Sequence, residues 1–425
     1  MINSNPLHWF RHSSGYINSH RNKTFVIMLS GEAISCANFT TLVHDIALLH
    51  SLGIRLVLVH GARPQIDVAL KQAAINSRFH RNIRITSSAM LPLVLSTIST
   101  TRLMLESQFC QGLSASSKIH TISGNFINAK PLGIHEGVDY EFTGEVRRVD
   151  TDAIRHNLDR QHLVIISSLG FSATAELFNL EALDVATHTA IALQADKLIL
   201  FGDSDGICHD GVLVREMTAN QAKAHLKDSA HPPQLIHALS ACEHGVGRIH
   251  LLNYHKDGAI LEELFTTDGA GTMISQNPYE VIRRANIFDI MGIVELTEPL
   301  QQAGVLIARS RQHLEENIDC FYVIERDGKI LGCAALYLLD KDSAEIASIA
   351  IAPEYRRGSR GVELLRFIEK TAKTHGKTHL FALTTRTAHW FIEQGFSQTS
   401  PNSLPPARLA KYHNGRNSKV LVKTL

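Results

Sequence analysis

Short apolar runs punctuate the first two-thirds of the chain, separated by stretches with helical spacing. Thr24–Leu29, Ile54–Val59, Leu163–Ser167, Leu198–Phe201 and Arg248–Leu252 are nearly continuous runs of aliphatic or aromatic residues. Runs without polar alternation predict strands covered on both faces, because a strand with one wet face would alternate. Between them, the spacing predicts helices from about Thr40 to Leu52, closed by Gly53, and from about Leu183 to Ala195. Strands alternating with helices need crossover connections, which implies a mostly parallel sheet sandwiched by helices.

The rhythm changes after Ile274-Ser275-Gln276-Asn277-Pro278, a polar stretch that reads as a domain boundary. Phe321–Arg326, Asp327-Gly328 and Lys329–Leu338 predict a β-hairpin with an Asp-Gly turn. Further strands are expected at Glu345–Ala352 and Leu380–Thr384, and helices from Gly361 to about His375 and from Ala388 to Gln394. The division is therefore residues 1–277 and residues 287–425, the second a mixed α/β domain. No internal repeat or low-complexity segment interrupts either part.

Composition narrows the classes. At 425 residues the chain exceeds one ordinary core, and 44% hydrophobic with 20% charged residues is a globular balance. A formal charge of +1 supplies no general attraction to nucleic acid or anionic lipid, so any anionic ligand must be held by local arginines. The six cysteines are scattered without a CxxC pair, which fits reduced thiols in the cytoplasm. The N-terminus lacks the apolar core of a secretory signal, and no run reaches the about 18 apolar residues of a membrane span. Histidine is abundant at 24, yet there is no HExxH, and Cys242, His244 and His250 lack a ligand spacing, so no metal is expected.

The stretch most informative about chemistry runs from Ile349 to Leu365. It places a strand, a loop of small residues and the start of an amphipathic helix in succession. Such an arrangement presents backbone N–H groups and a helix dipole to an anion such as a pyrophosphate. Small residues let phosphates reach the amides. Arg356, Gly361, Leu364 and Leu365 fit the Gln/Arg-x-x-Gly-x-Gly/Ala loop and paired leucines of the GCN5-related (GNAT) N-acetyltransferases, which this stretch resembles; Ser359 replaces the middle glycine.

The resemblance extends along nearly the whole chain. Ala308-Arg309-Ser310-Arg311, Gly332-Cys333-Ala334-Ala335-Leu336, Glu345-Ile346-Ala347, Phe381–Thr385 and Gly415–Ser418 are similar to the C-terminal domain of the bacterial N-acetylglutamate synthases. His20–Val26, Leu48–Arg55 and Gly61–Asp67 are similar to the amino-acid-kinase-like domain of the same family. The resemblance implies transfer of an acetyl group from acetyl-CoA to the α-amine of L-glutamate, the first step of arginine biosynthesis. It also implies inhibition by L-arginine and a homo-oligomer, with a hexamer among the options.

Residue roles follow the same resemblance. Acetyl transfer to an amine needs a base, a stabilised oxyanion and a proton for the leaving thiolate. Glu345, on a strand otherwise of Ile, Ala and Ser, aligns with the family's general base, and Thr384 with a serine proposed to protonate the thiolate. Arg309, Arg408, Arg416 and Ser418 match positions that hold N-acetylglutamate, as bidentate arginine suits a dicarboxylate. The backbone of Ile349 and Ile351 and the loop Arg356, Arg357, Gly358, Ser359 and Gly361 would take acetyl-CoA. Taken alone, Arg416 reads as a solvated side chain in a polar turn.

Val57–Gly61, Lys197–Gly206 and Glu263–Thr266 resemble acetylglutamate kinases, but the lysine and aspartate that kinase chemistry uses are absent. Met28-Leu29-Ser30-Gly31 stands at the first place and Leu183 nearest the second. The resemblance instead implies an arginine-binding regulatory domain, with Lys197, His250, Glu263, Gly269 and Gly271 at the effector. Three other readings stay open: a surviving kinase fused to an acetyltransferase, a non-catalytic arginine or acyl-CoA sensor, and an acetyltransferase for protein N-termini or antibiotic amines. The arginines at 309 and 416 speak against a cationic antibiotic.

Overall fold

The structure is a computed structural model that describes residues 6–110, 118–226, 231–266, 269–276, 280–326, 329–356, 359–412 and 417–425. The chain divides into two units, Met1–Pro278 and Tyr279–Leu425.

In the first unit the predicted runs become strands of one eight-stranded sheet. Its strands in chain order are β1 (Thr24–Leu29), β2 (Arg55–His60), β3 (Thr121–Ile122), β4 (Leu163–Ser167), β5 (Lys197–Gly202), β6 (Glu216–Thr218), β7 (Arg248–Asn253) and β8 (Thr272–Ser275). Their spatial order is β6-β8-β7-β5-β1-β2-β4-β3. All pairs are parallel except β7 with β8.

The absence of polar alternation has its reason in the packing. Phe25, Ile27 and Leu29 of β1 join one apolar cluster, and Val26 and Met28 join another. β2, β4 and β5 divide their side chains in the same way, so the sheet is buried on both faces. The helices of this unit include α1 (Pro6–His20), α2 (Phe39–Ser51), α3 (Arg63–Gln72), α4 (Leu91–Cys110), α5 (Ala182–Leu193), α6 (Gln234–Glu243) and α7 (Ala259–Phe265), with α3 packed on α4 through Ile66 and Leu70. Gly53 sits just beyond α2 with φ +85°, a left-handed closure that glycine adopts without a Cβ penalty. A small four-stranded sheet built from 127–131, 144–149, 169–171 and 177–179 lies outside the main one.

One expectation needs correction, and two helices lie outside every expectation. Ile274 and Ser275 do not open a linker: they end β8, drawn in by antiparallel pairing with Ile249 and Arg248. Helices α1 and α4 were not anticipated from spacing; α1 is fastened by the Ser13 hydroxyl donating to the Phe265 carbonyl and by His20 Nε2 on the Leu264 carbonyl.

The second unit holds a seven-stranded sheet. Its strands are β9 (Val281–Arg284), β10 (Phe321–Arg326), β11 (Lys329–Leu338), β12 (Ser343–Ile351), β13 (His379–Thr384), β14 (Ser397–Thr399) and β15 (Lys419–Thr424), in the spatial order β9-β10-β11-β12-β13-β15-β14. The expected Asp327-Gly328 turn lies outside the described residues. Helices α8 (Ile290–Gln302), α9 (Arg360–Thr374) and α10 (Pro406–Leu409) belong to this unit. Leu364, Leu365, Ile368 and Ala372 of α9 pack on one face of the sheet, against Leu331, Ala334 and Leu336. Ile290 and Ile293 of α8 pack on the other, against Phe321, Val323 and Cys333.

The architecture is thus α/β twice over. An amino-acid-kinase-like, mostly parallel sheet lies between helices, and a GNAT-type mixed α/β domain follows it.

Candidate functional site

The site of the second unit grows from a break in strand pairing. β12 and β13 run parallel, but their register covers only Ser343–Ile346 against His379–Ala382. Past that point β12 carries on to Ile351 with no second strand partner among the described residues, while β13 stays with β15 as far as Thr384. Ser348 (φ +51°) lies where β12 carries one residue more than β11 between Ala347 and Ala350, a bulge that swings the strand. A wedge therefore opens between β12 and β13, and its β12 wall presents main-chain groups of 347–351. Ile349 and Ile351 are on this open edge.

Glu345 stands where the wedge begins. It is 6% exposed, and both its carboxylate oxygens accept from Arg408 of α10: Nη2 donates to Oε1 at 3.0 Å and Nε donates to Oε2. The sequence reading set Glu345 among apolar neighbours and Arg408 on the substrate; the structure joins the two as an ion pair. Directly across the strands, Tyr337 of β11 is the Cα partner of Glu345, so both side chains leave the same face. The Tyr337 hydroxyl accepts from Arg309 Nη1. The same nitrogen donates to His313 Nε2 at 2.7 Å, which leaves the imidazole proton on Nδ1 because a guanidinium only donates.

Arg309 has no acidic partner among the described residues, and its Nε is buried without a hydrogen bond. One face thus gathers two guanidiniums against one carboxylate. Tyr337 and His313 belong to this cluster and were missed by sequence reading; the available signal was Tyr337 at the end of one expected strand, eight positions before Glu345 at the start of the next.

Thr384 ends β13. Its hydroxyl oxygen accepts from the amides of Arg386 (3.3 Å) and Thr387 (3.0 Å), and its hydroxyl shares a 2.8 Å hydrogen bond with that of Thr387 in which either can donate. Ser418 precedes β15, whose Lys419 lies opposite Thr384, and its carbonyl accepts from the Tyr412 hydroxyl at 2.6 Å. Arg416, Arg357 and Gly358 fall outside the described residues.

At the loop, the first turn of α9 has no side-chain cap: Ser359, its N-cap, donates its hydroxyl to Glu363 instead. The orphan N–H groups of that turn are what an anion would bind. A Cβ at Gly361 would meet only Trp390 at 3.4 Å and Ile351 at 3.9 Å, which is ordinary contact. Among the described residues no packing contact demands glycine there, which leaves room for a ligand to approach the amides. Arg356 donates to the Ile351 carbonyl at 3.2 Å, and Arg360 is held by Glu280 at 2.6 and 2.8 Å. These features fit a coenzyme A pyrophosphate.

In the first unit, Lys197, His250 and Glu263 form one buried chain. Lys197 Nζ meets His250 Nε2 at 3.3 Å, and His250 Nδ1 meets Glu263 Oε1 at 2.6 Å. Glu263 Oε2 accepts from the amides of Ala270 (2.7 Å) and Gly271 (3.0 Å). Burial lowers the pKa of His250 and the charge of Lys197 adds to this, with Glu263 opposing both. Burial alone would raise the Glu263 carboxyl, but His250 and the two amides outweigh it and hold it at about 2. Glu263 is therefore not a helix-surface acid. Gly269 (φ +64°) passes so close that a Cβ would lie 2.6 Å from Glu263 Oε2.

A separate cavity of about 390 Å³ opens at the C-terminal ends of the parallel strands. Met28, Ser30, Gly31 and Leu183 all line it, so the two positions where kinase charges are missing meet in one place. Its cations are Arg63 and Arg84, the latter paired with Asp67, and no lysine is among the described lining residues. Cys242 and His244 turn to Gln276 and to the Ser240 carbonyl, and no metal-binding group of three or more residues occurs among the described residues. No described helix is long and apolar enough to cross a membrane.

Comparison with known proteins agrees with this layout. Residues 23–253 match the amino acid kinase family and residues 290–396 the acetyltransferase (GNAT) family. An amino-acid acetyltransferase of Ectopseudomonas mendocina is 48% identical over 98% of this chain and 99% of its own. One from Pseudomonas putida is 48% identical over 99% of both. The crystal structure of N-acetylglutamate synthase from Neisseria gonorrhoeae complexed with coenzyme A and L-arginine is 36% identical, with a TM-score of 0.92 over 100% of both chains. The same enzyme complexed with coenzyme A and N-acetyl-glutamate matches at 37% identity and a TM-score of 0.65, over 99% of this chain and 100% of that one. The chain is an acyltransferase that uses acetyl-CoA, and it belongs to the N-acetylglutamate synthase family of amino-acid acetyltransferases.

Proposed function

We propose that the wedge of the second unit acetylates the α-amine of L-glutamate, and that the residues named above divide the work. The observation that carries this reading is Arg309. A guanidinium without an acidic partner among the described residues, its Nε buried and unbonded, stands one strand from a buried carboxylate that another guanidinium already holds. A substrate with two carboxylates and one amine matches that surplus of positive charge.

Acetyl-CoA would lie along the open edge at Ile349 and Ile351, its pyrophosphate at the first turn of α9 by Arg356, Arg357, Gly358, Ser359 and Gly361. Arg309, Arg408, Arg416 and Ser418 would hold the glutamate carboxylates. Glu345 takes the ammonium proton, directly or through water; the freed amine adds to the thioester carbonyl; as the C–S bond breaks, Thr384 protonates the departing thiolate and regains a proton from the acylated nitrogen, which becomes the amide N–H. L-Arginine would bind at Lys197, His250, Glu263 and the Gly269–Gly271 loop and inhibit the reaction. Work in the cytoplasm as a homo-oligomer belongs to the same proposal.

Thiol release from acetyl-CoA with a panel of amino acids tests the reading. Glutamate should be acetylated in preference to lysine, peptides and antibiotic amines, and equal turnover of any of these refutes the substrate. Glu345→Gln should lower kcat by about 10²–10⁴-fold while coenzyme A binding persists, the usual span for a general base.

A further inference from the structure

We infer that Arg408 is a positioning residue that keeps Glu345 out of the reaction until an amine bearing its own carboxylate displaces it. Selection for amino acids then acts on the base as well as on binding. The inference rests on the proposed role of Glu345 as base.

The geometry is that of a lock. Glu345 is fixed on β12, which is paired on both sides at this residue, with Tyr337 on one side and Phe381 on the other. Arg408 comes from α10, a four-residue helix outside the sheet. Its guanidinium grips both carboxylate oxygens in a planar, two-point contact. The side chains are 17% and 8% exposed for Arg408 and Glu345, so Arg408 is the one that faces the opening. While that contact stands, each carboxylate oxygen has a lone pair committed to Arg408, whose guanidinium lies on the side of the opening from which an ammonium would come.

Nearby groups offer no substitute. The Tyr337 hydroxyl is committed to Arg309, and His313 accepts from the same guanidinium. A substrate carboxylate gives Arg408 an equivalent two-point acceptor, so exchanging one carboxylate for the other costs little. An amine without a carboxylate would have to leave the half-buried Arg408 guanidinium or the buried Glu345 carboxylate unpaired, and breaking such a pair by removing one partner is unfavourable. Such an amine meets a locked base even when it fits the wedge. Water meets the same lock, which protects acetyl-CoA from hydrolysis before the amino acid arrives.

The test uses the full chain with acetyl-CoA and no amino acid, reading thiol release as acetyl-CoA plus water gives acetate and coenzyme A. Wild type should hydrolyse very slowly. Arg408→Ala should raise glutamate-independent hydrolysis by about tenfold or more, the low end of what a freed general base supplies. The gain should vanish in Arg408→Ala/Glu345→Gln, and added guanidinium ion should suppress it by refilling the vacated place. Coenzyme A binding by calorimetry shows that each variant is folded. Should Arg408→Ala fail to bind coenzyme A, Arg408→Lys, which keeps the charge but not the two-point grip, should show a smaller gain. Hydrolysis at the wild-type rate in a folded variant, or a gain that survives Glu345→Gln or guanidinium, overturns the lock. A variant whose only change is a higher KM for glutamate does the same while leaving the glutamate assignment intact. Failure of wild type to acetylate glutamate defeats that assignment instead.

Discussion

Arg309 bears its charge against a tyrosine hydroxyl and an imidazole, neither of which neutralises it. Its Nε is desolvated without return, a cost a bound carboxylate would offset. Arg309→Ala should therefore raise KM for glutamate and leave KM for acetyl-CoA nearly unchanged. A charge-assisted contact contributes about 1.5–3 kcal/mol, or roughly ten- to a hundredfold in affinity. Selective loss of acetyl-CoA binding in steady-state kinetics would show that the two substrates are placed wrongly. Asp45 shows the opposite fate of a charge. Burial, then repulsion from Asp257, raises its carboxyl from 3.8 to about 6, with His44 opposing. A folded-state pKa above the unfolded one contributes stability that is complete below 3.8 and lost as pH rises through about 6. Asp45→Asn should accordingly raise the melting temperature at pH values above 6 and have no such effect below 3.8, as thermal melts across pH will show.

At the scale of elements, the wedge and the uncapped start of α9 form one device. The strands provide an open edge because β13 leaves β12 after Ala382, and the helix provides free N–H groups because Ser359 turns to Glu363. Gly361 is the clearest probe, since the protein has room for a methyl group there. Gly361→Ala should keep the melting temperature near wild type and raise KM for acetyl-CoA, because the added carbon stands between the phosphates and the amides. A drop in stability with unchanged acetyl-CoA kinetics would mean that the glycine serves packing. Element boundaries were legible where one interaction sets them. Thr24–Leu29 and Leu163–Ser167 have the predicted ends because each is an apolar run bounded by polar residues. α4 escaped notice because Ser and Thr interrupt its apolar spacing, and only packing of Val94, Ile98, Leu105 and Phe109 makes it a helix face.

For the whole molecule, the question is how the first unit speaks to the second. Lys197, His250 and Glu263 occupy neighbouring strands and a helix, β5, β7 and α7, and Glu263 also ties down the amides of 270–271 just before β8. β8 is the last strand of this unit. An effector that rearranges the Glu263 contacts therefore acts next to the segment that leads into the acetyltransferase, and such coupling requires unequal binding to two conformations. L-Arginine should bind and slow acetyl transfer, and Glu263→Ala should abolish that response with basal activity retained. Calorimetry without arginine binding, or a response that survives the substitution, would exclude this site.

What the sequence determined by itself were the things that local chemistry encodes. Apolar runs specify strands, their lack of alternation specifies a sheet buried on both faces, and small residues before an amphipathic helix specify an anion-binding turn. The family resemblance carried by the same sequence nominated Glu345, Arg309 and Arg408. Only the tertiary structure decided their relations, because those depend on register and on contacts far apart in the chain. Glu345 and Arg408 are 63 positions apart, yet they share an ion pair. Tyr337 faces Glu345 through strand register, and Arg309 reaches Tyr337 from 28 positions away. Ile274 and Ser275 read as polar punctuation until antiparallel pairing with β7 made them strand. Pairing energies between distant segments leave no periodic trace along a chain, so the partners become visible only when the fold brings them together.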